Sequence, residues 1–327
     1  MKTSRAWFAA VFLASFMGVL VVPAFSGQQE SKPTVRHRRI AEPAEQDANA
    51  GLLDQAETAM QKNDFAGAES LLKKAIANKA EDYRAWFDLG YIYNATQRQA
   101  EAVDAYRQSV SAKPDVFESN LNLGILLAKQ GNNAEAAKYL KAATRLKPTA
   151  HPEQGLARAW QSLGRVEAGL DLQQALEAYQ QAAKLDPANA EPHLSAGLLL
   201  EKQGQLDGAA SEYQAAAQAD PKSHEAVAGL ANVYTRQKKY PEAEAALRKV
   251  LTLDPQNTNA RVQLGRVLAE EGKNEEAAHE LQQVLKGEAA DPAVALELGA
   301  LNVRAGKYAE AEQQFRAAVA ADPKDAQ

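Results

Sequence analysis

The stretch that decides the fold is YRAWFDLGYIYNATQRQAEAVDAYRQSVSAKPDV, residues 83–116. Its first half sets Trp86, Leu89, Gly90 and Tyr93 at helical spacing, and its second half sets Ala102 and Tyr106 the same way before Pro114. Apolar residues three, four and seven apart mark one face of a helix, so the segment reads as two amphipathic helices. Proline cannot continue a helix, and Pro114 ends the second one. Gly90 is a small residue in the middle of the first helix, where the second can approach closely. Ala102 does the reciprocal work on the second helix, and Tyr106 lies one turn further along the same face and fills the space beyond the crossing.

Moving outward, the pattern returns every 34 residues. Leu123, Gly124, Ala136 and Leu140 carry it next, then Gly197, Ala209 and Tyr213, and then Leu230, Ala243 and Leu247. Leu264, Gly265, Ala277 and Leu281 follow, and Leu298, Gly299, Ala311 and Phe315 close the series. A degenerate copy at 49–82 keeps Ala56, Ala68 and Leu72. Gly131, Gly204, Gly272 and Gly306 supply the turn inside each hairpin, where a helix often ends on a left-handed residue. Asp-Pro pairs beginning at 186, 220, 254 and 322 strengthen the stop after the second helix. The repeats are placed at 49–82, 83–116, 117–150, 157–189, 190–223, 224–257, 258–291 and 292–325. The fourth departs: residues 151–156 are extra, and Gly164 to Pro187 spans 23 residues where Gly90 to Pro114 spans 24. A change of bend or pitch is expected there, between stacks 49–150 and 157–325 of one continuous structure. Two helices cannot bury their apolar faces alone, but stacked hairpins can, so the chain reads as an all-α solenoid.

The repeat resembles that of the tetratricopeptide-repeat family, over residues 49–325. The resemblance implies a right-handed superhelical solenoid of eight helix-turn-helix units. It further implies that the first helices line a concave face along which a protein or peptide partner binds. Positions 2, 5, 9, 12 and 13 of each repeat point into that face in such families. On this chain they give Arg84, Phe87, Tyr91 and Asn94 in repeat 2, and Leu121, Ile125 and Lys129 in repeat 3. Arg158, Gln161 and Arg165 follow in repeat 4, and Leu194, Leu198 and Lys202 in repeat 5. Asn232, Arg236, Val262, Arg266, Leu296 and Arg304 continue the series. An apolar floor beside a basic row suits an extended segment with apolar anchors and acidic groups. Phe87 and Leu121 have a second reading, as seals between adjacent repeats. The family's carboxylate clamp, two Asn with Lys and Arg gripping a chain terminus, is not reproduced; Asn232, Arg236 and Arg266 match it only in part.

Composition agrees with helices. The chain has 327 residues, 46% hydrophobic but only 6% aromatic, and alanine dominates the apolar share. Alanine is the best helix former. With no cysteine, disulfides, thiolate metal sites, cysteine nucleophiles and a lipidated N-terminal Cys are excluded. The five histidines, 37, 151, 193, 224 and 279, are scattered over different repeats without the spacing of a helical metal pair, and no HExxH occurs. The glycines sit at repeat and turn positions, so none forms a phosphate loop, and nothing marks a strained nucleophile turn. No catalytic residue, metal ligand or cofactor is expected. The sequon Asn94-Ala95-Thr96 reads as chance, with Asn94 on the groove.

The N-terminus speaks to compartment. Lys2 and Arg5 precede an uncharged apolar run, Ala6 to Val22; Pro23 then breaks any helix. Ala24 and Ser26 put small residues at −3 and −1 of a cut before Gly27. The run has 17 residues, against about 20 for a spanning helix, so a cleaved export signal at 1–26 is expected, with an uncleaved N-terminal anchor as its alternative. Removing 1–26 leaves 35 Lys+Arg against 42 Asp+Glu, a net charge of −7, which argues against a nucleic-acid partner. Residues 27–48, with Pro33, Pro43 and the basic cluster Arg36-His37-Arg38-Arg39, read as a disordered, solvated tether. Beyond the signal no segment is expected to cross a membrane. These features lead to a non-enzymatic scaffold or adaptor of the cell envelope, periplasmic or secreted. The rival reading is a structural subunit of an envelope assembly: outer-membrane assembly, pilus or polysaccharide secretion.

Overall fold

Sixteen helices and no strand make up the residues described by the structure, a computed structural model covering 49–286 and 291–321. The first four hairpins are α1 (Ala50–Gln61) with α2 (Phe65–Asn78), α3 (Tyr83–Ala95) with α4 (Gln99–Ala112), α5 (Phe117–Lys129) with α6 (Asn133–Ala143), and α7 (Pro152–Glu167) with α8 (Leu172–Leu185). The other four are α9 (Glu191–Lys202) with α10 (Leu206–Ala219), α11 (His224–Arg236) with α12 (Tyr240–Leu253), α13 (Thr258–Glu270) with α14 (Asn274–Leu285), and α15 (Pro292–Arg304) with α16 (Tyr308–Ala321). The expected signal at 1–26, the tether at 27–48 with its basic cluster, and the final Asp-Pro pair lie outside the described residues.

Each helix packs on its hairpin partner and then on the next helix in the chain, as stacked hairpins require. First helices also touch first helices directly, α1 on α3, α5 on α7 and α9 on α11. They therefore form one layer of the stack.

The crossing inside each hairpin is as tight as the spacing demands. A Cβ built on Gly90 would stand 2.8 Å from the Tyr106 ring, and one on Gly265 would stand 2.7 Å from Leu281. Real carbon atoms do not approach so closely, so only glycine lets these helices meet at this distance. The alanine four residues before the large side chain, Ala102 or Ala277, is fully buried. Capping follows ordinary chemistry: the side chains of Asp64, Ser223 and Asn257 accept from backbone N–H groups three residues on, at 2.9, 3.1 and 2.9 Å.

The hairpin turn is more uniform than its glycines indicate. A left-handed residue recurs at the same repeat position in seven hairpins: Gly131, Gly204, Gly272 and Gly306, but also Asn63, Gln97 and Lys238, at φ 60, 62 and 58°. Repeat 4 lacks this residue, which locates its missing position in the turn. Its extra residues are not a loop. His151 adopts φ 45°, and Pro152 then starts α7, which gains a helical turn over 152–156. The core runs without interruption from Leu53 through Leu163 to Ala178, past the insertion. Smaller groups of buried side chains serve repeats 4 and 5, and a second large core joins Val227 to Leu301.

Candidate partner-binding face

The first-helix layer carries all twelve residues singled out as partner-binding, and the structure sorts them into three kinds. Phe87 and Leu121 belong to the core, 2% and 1% exposed. The Phe87 ring meets Tyr106 edge-on, with centroids 5.5 Å apart and planes at 62°. An apolar ring between two helices is worth more there than in water, and this geometry is a favourable aromatic one. Neither is open to a groove: both side chains are spent on the packed core. Tyr91, Asn94 and Ile125 are half-buried, and Tyr91 and Ile125 pack on the core of repeats 1–4 while keeping part of their surface open.

The second kind is arginine already engaged by carboxylates of this chain. Arg84 donates through Nε and Nη2 to the buried Asp82 at 2.9 and 2.8 Å, and Asn49 donates to the same carboxylate at 3.0 Å. Burial disfavours the Asp82 charge, but these donors outweigh it and hold its pKa below the usual range. Arg236 donates to Glu201 of the preceding repeat at 3.3 Å. Arg266 donates to Glu297 of the following repeat through Nε at 3.0 Å and Nη2 at 2.6 Å.

The third kind comprises Lys129, Arg158, Arg165 and Lys202, which are all exposed. The field of Arg165 reaches Glu191 in the next hairpin: burial raises the Glu191 pKa and Arg165 opposes the shift. Apolar exposure on this layer is greatest on α9 and α15, not on α3 and α5. Leu198 and Leu296 are each 43% exposed and Val303 is 44% exposed. On α9, Leu194, Leu198 and Lys202 follow one another at four-residue spacing, so they share one face. On α15, Leu296 and Val303 are seven apart and share a face likewise.

Sequence reasoning missed the acids. Glu201 is 9% exposed yet bonds three side chains: Tyr213 at 2.8 Å, Asn232 at short range and Arg236. Glu118 is buried and accepts from the backbone N–H and hydroxyl of Thr149 at 2.8 and 2.6 Å. A charge paired with its opposite about one repeat later, 201 with 236 or 266 with 297, was the available signal. Among the described residues no group of three His, Cys, Asp or Glu side chains is assembled to hold a metal, and no helix is long and apolar enough to cross a membrane.

With this geometry in view, comparison with known proteins is direct. A tetratricopeptide-repeat family model matches 53–117, 100–151 and 194–258, half of the chain. A second model of that description matches 236–295 and 268–327, and a TPR-repeat model matches 171–204. The chain belongs to the tetratricopeptide-repeat family. Protein NPGR1 of Arabidopsis thaliana is 32% identical over 126 residues, 37% of this chain; the match spans 17% of that protein's length. Among solved structures, YrrB, a TPR protein with an unusual peptide-binding site, is 20% identical over 58% of this chain and 95% of its own, with TM-score 0.49. A tetratricopeptide-repeat protein from Parabacteroides merdae is 19% identical over 78% and 98%, with TM-score 0.49. PilF of Pseudomonas aeruginosa is 19% identical over 68% and 98%, also with TM-score 0.49.

Proposed function

We propose that this chain is a non-enzymatic adaptor that holds an extended segment of a partner protein along its first-helix layer, in the periplasm or outside the cell. Membership of the tetratricopeptide-repeat family supports protein binding in general. The observation that carries the finer reading is the exposure of Leu198 and Leu296 on first helices, on a layer whose other large apolar side chains, Val303 apart, are buried or half-buried. Their exposure costs solvation free energy that a partner recovers on binding. Lys202 on the Leu198 face and Arg165 one hairpin earlier add positive charge to an acidic protein, which favours acidic groups on the ligand. We put the binding strip on α7 and α9, where Leu198 and both of these cations lie, flanked by Tyr91 and Ile125, and not on Phe87 and Leu121. Export rests on the pattern at 1–26.

Crosslinking in the native compartment followed by mass spectrometry tests the reading. Crosslinks from a partner segment are expected to fall on α7 and α9. Crosslinks confined to second helices would overturn the groove, and recovery in one fixed stoichiometry would identify a structural subunit instead. Intact mass of the exported protein tests the compartment: a mature start near Gly27 is expected, whereas a membrane-retained species keeping Met1 would mean an anchor.

A further inference from the structure

The outer face of the α15–α16 hairpin is built like an interface between repeats, but nothing among the described residues lies against it. Phe315 occupies the position of Tyr106, Tyr213 and Leu281, all buried, yet it is only half-buried itself. Tyr308 is 70% exposed and Val319 46%. With Val303 and Ala311 these side chains line a shallow depression of about 500 Å³. Tyr308, Ala311, Phe315 and Val319 fall on one helical stripe, the spacing by which one helix packs on another. The opposite end of the stack is built differently. Repeat 8 buries Val294, Leu298 and Leu301 against its predecessor, while the equivalent residues of α1, Gly51, Gln55 and Thr58, are exposed and mostly polar. Among the described residues, repeat 1 therefore presents polar side chains at its end of the stack and repeat 8 apolar ones.

The charges on this face indicate what covers it. Glu312 pairs with Arg316 at 2.6 Å. The same positions in repeat 6 are Glu244 and Arg248, paired at 2.7 Å, and there Glu244 also takes Lys273 of the next repeat at 2.6 Å. Repeat 1 repeats the arrangement with Glu69, Lys73 and Arg98. In both copies the acid receives a second cation from the repeat that follows, and at Glu312 that place falls on the open face.

We propose that this face is the contact surface of a two-fold dimer, its occupant the same face of a second copy of this chain. An antiparallel pairing of two α16 helices about an axis near Gln314 sets Glu312 of each copy against Arg316 of the other. The second copy thereby supplies the cation that Lys273 and Arg98 supply inside the stack. It also lays the apolar stripe of one helix on that of its partner. A two-fold contact is self-complementary, and a face carrying both an acid and a base four residues apart meets that condition. Head-to-tail stacking would instead press Gln55 and Thr58 onto Tyr308 and Phe315, without apolar or charge complementarity.

Sedimentation equilibrium of the purified chain, from micromolar to near-millimolar concentration, tests the proposal. A monomer–dimer equilibrium is expected, weakened about tenfold by Tyr308→Glu or Val319→Glu, since an exposed aromatic or apolar anchor at a contact centre is typically worth that much. Both side chains are exposed, so far-ultraviolet circular dichroism should stay unchanged. Glu312→Arg should weaken the dimer similarly by gathering four arginines, and adding Arg316→Glu should restore it by exchanging the charges. A monomer at every concentration would overturn the proposal, as would open-ended oligomers or a dimer indifferent to all four variants.

Discussion

Arg236 reaches back across one repeat to Glu201, donating to both its carboxylate and its backbone carbonyl at 3.3 Å. Glu201 also accepts from Tyr213 at 2.8 Å and from Asn232. The Asn and Arg that partly resemble a carboxylate clamp are thus occupied by a carboxylate of the protein's own. Removing the carboxylate leaves Tyr213 and Asn232 without this acceptor and Arg236 with only the backbone carbonyl, so Glu201→Ala should cost about 2 kcal/mol in urea unfolding. It should also lower the Tyr213 pKa, which burial and then the neighbouring Glu201 charge push up. An ultraviolet titration of the folded variant reads that shift; a tyrosine unmoved by the substitution would contradict the hub.

The helix crossings should resist added volume. Ala102→Leu and Ala277→Leu insert three carbons where the alanine is fully buried, and should each destabilise by about 1–3 kcal/mol. Ala134, exposed on α6, should accept leucine within about 0.5 kcal/mol. Thermal melts of the three variants decide it, and equal tolerance at all sites would mean the repeat register is misplaced.

At the hairpin turns, Gln97 and Lys238 hold a left-handed backbone at φ 62 and 58° that glycine adopts without strain. Gln97→Gly and Lys238→Gly should therefore stabilise slightly, by about 0.5 kcal/mol, the released strain outweighing the greater freedom of the unfolded chain. Gly272→Ala should destabilise by about 1 kcal/mol although its surroundings are open, because the penalty lies in the backbone. A melting temperature that rises in the alanine variant would reverse the argument.

Two acids should make the stack sensitive to low pH. Arg98 and Lys73 hold Glu69 down to about 2, and Lys273 and Arg248 hold Glu244 down to about 2. A depressed folded-state pKa adds stability that is present above the unfolded value, about 4.5, and is lost as pH falls toward about 2. Both pairs touch solvent, so each contributes at most about 1 kcal/mol. Stability should fall between pH 4.5 and 2, and Glu69→Gln with Glu244→Gln should flatten that part of the curve. An unchanged slope in the double variant would assign the acid sensitivity elsewhere.

Partner binding should separate from stability at named positions. Phe87→Ala removes a core ring and should cost about 3–5 kcal/mol of stability. Leu198→Ala should leave the melting temperature nearly unchanged and weaken a verified partner by about 1–2 kcal/mol. Arg165→Glu and Lys202→Glu should mainly slow association and reduce its salt dependence. Calorimetry and stopped-flow rates on the same preparations check both, and Leu198→Ala binding at wild-type strength would remove α9 from the site.

The residues from Tyr83 to Val116 already contained the hairpin. Helical spacing, the glycine at the crossing and the terminating proline are local requirements, so they are written into every copy and legible in one. Eight copies in register then fixed an all-α stack, because repetition leaves each hairpin only its neighbours to pack on. The glycines of the turn were legible too, but Asn63, Gln97 and Lys238 were not, since a left-handed backbone imposed by two packed helices leaves no mark on residue type. The twelve groove positions were legible only as positions. Whether Phe87 faces a ligand or Tyr106 depends on how the two helices of its own hairpin cross, and whether Arg236 is available depends on an acid one repeat earlier. Those are properties of distance between packed helices, within a repeat or across two, and only the tertiary structure sets that distance. The same is true of the open face at Tyr308 and Val319: its sequence is that of an interior repeat, and only the fold shows that nothing among the described residues lies against it.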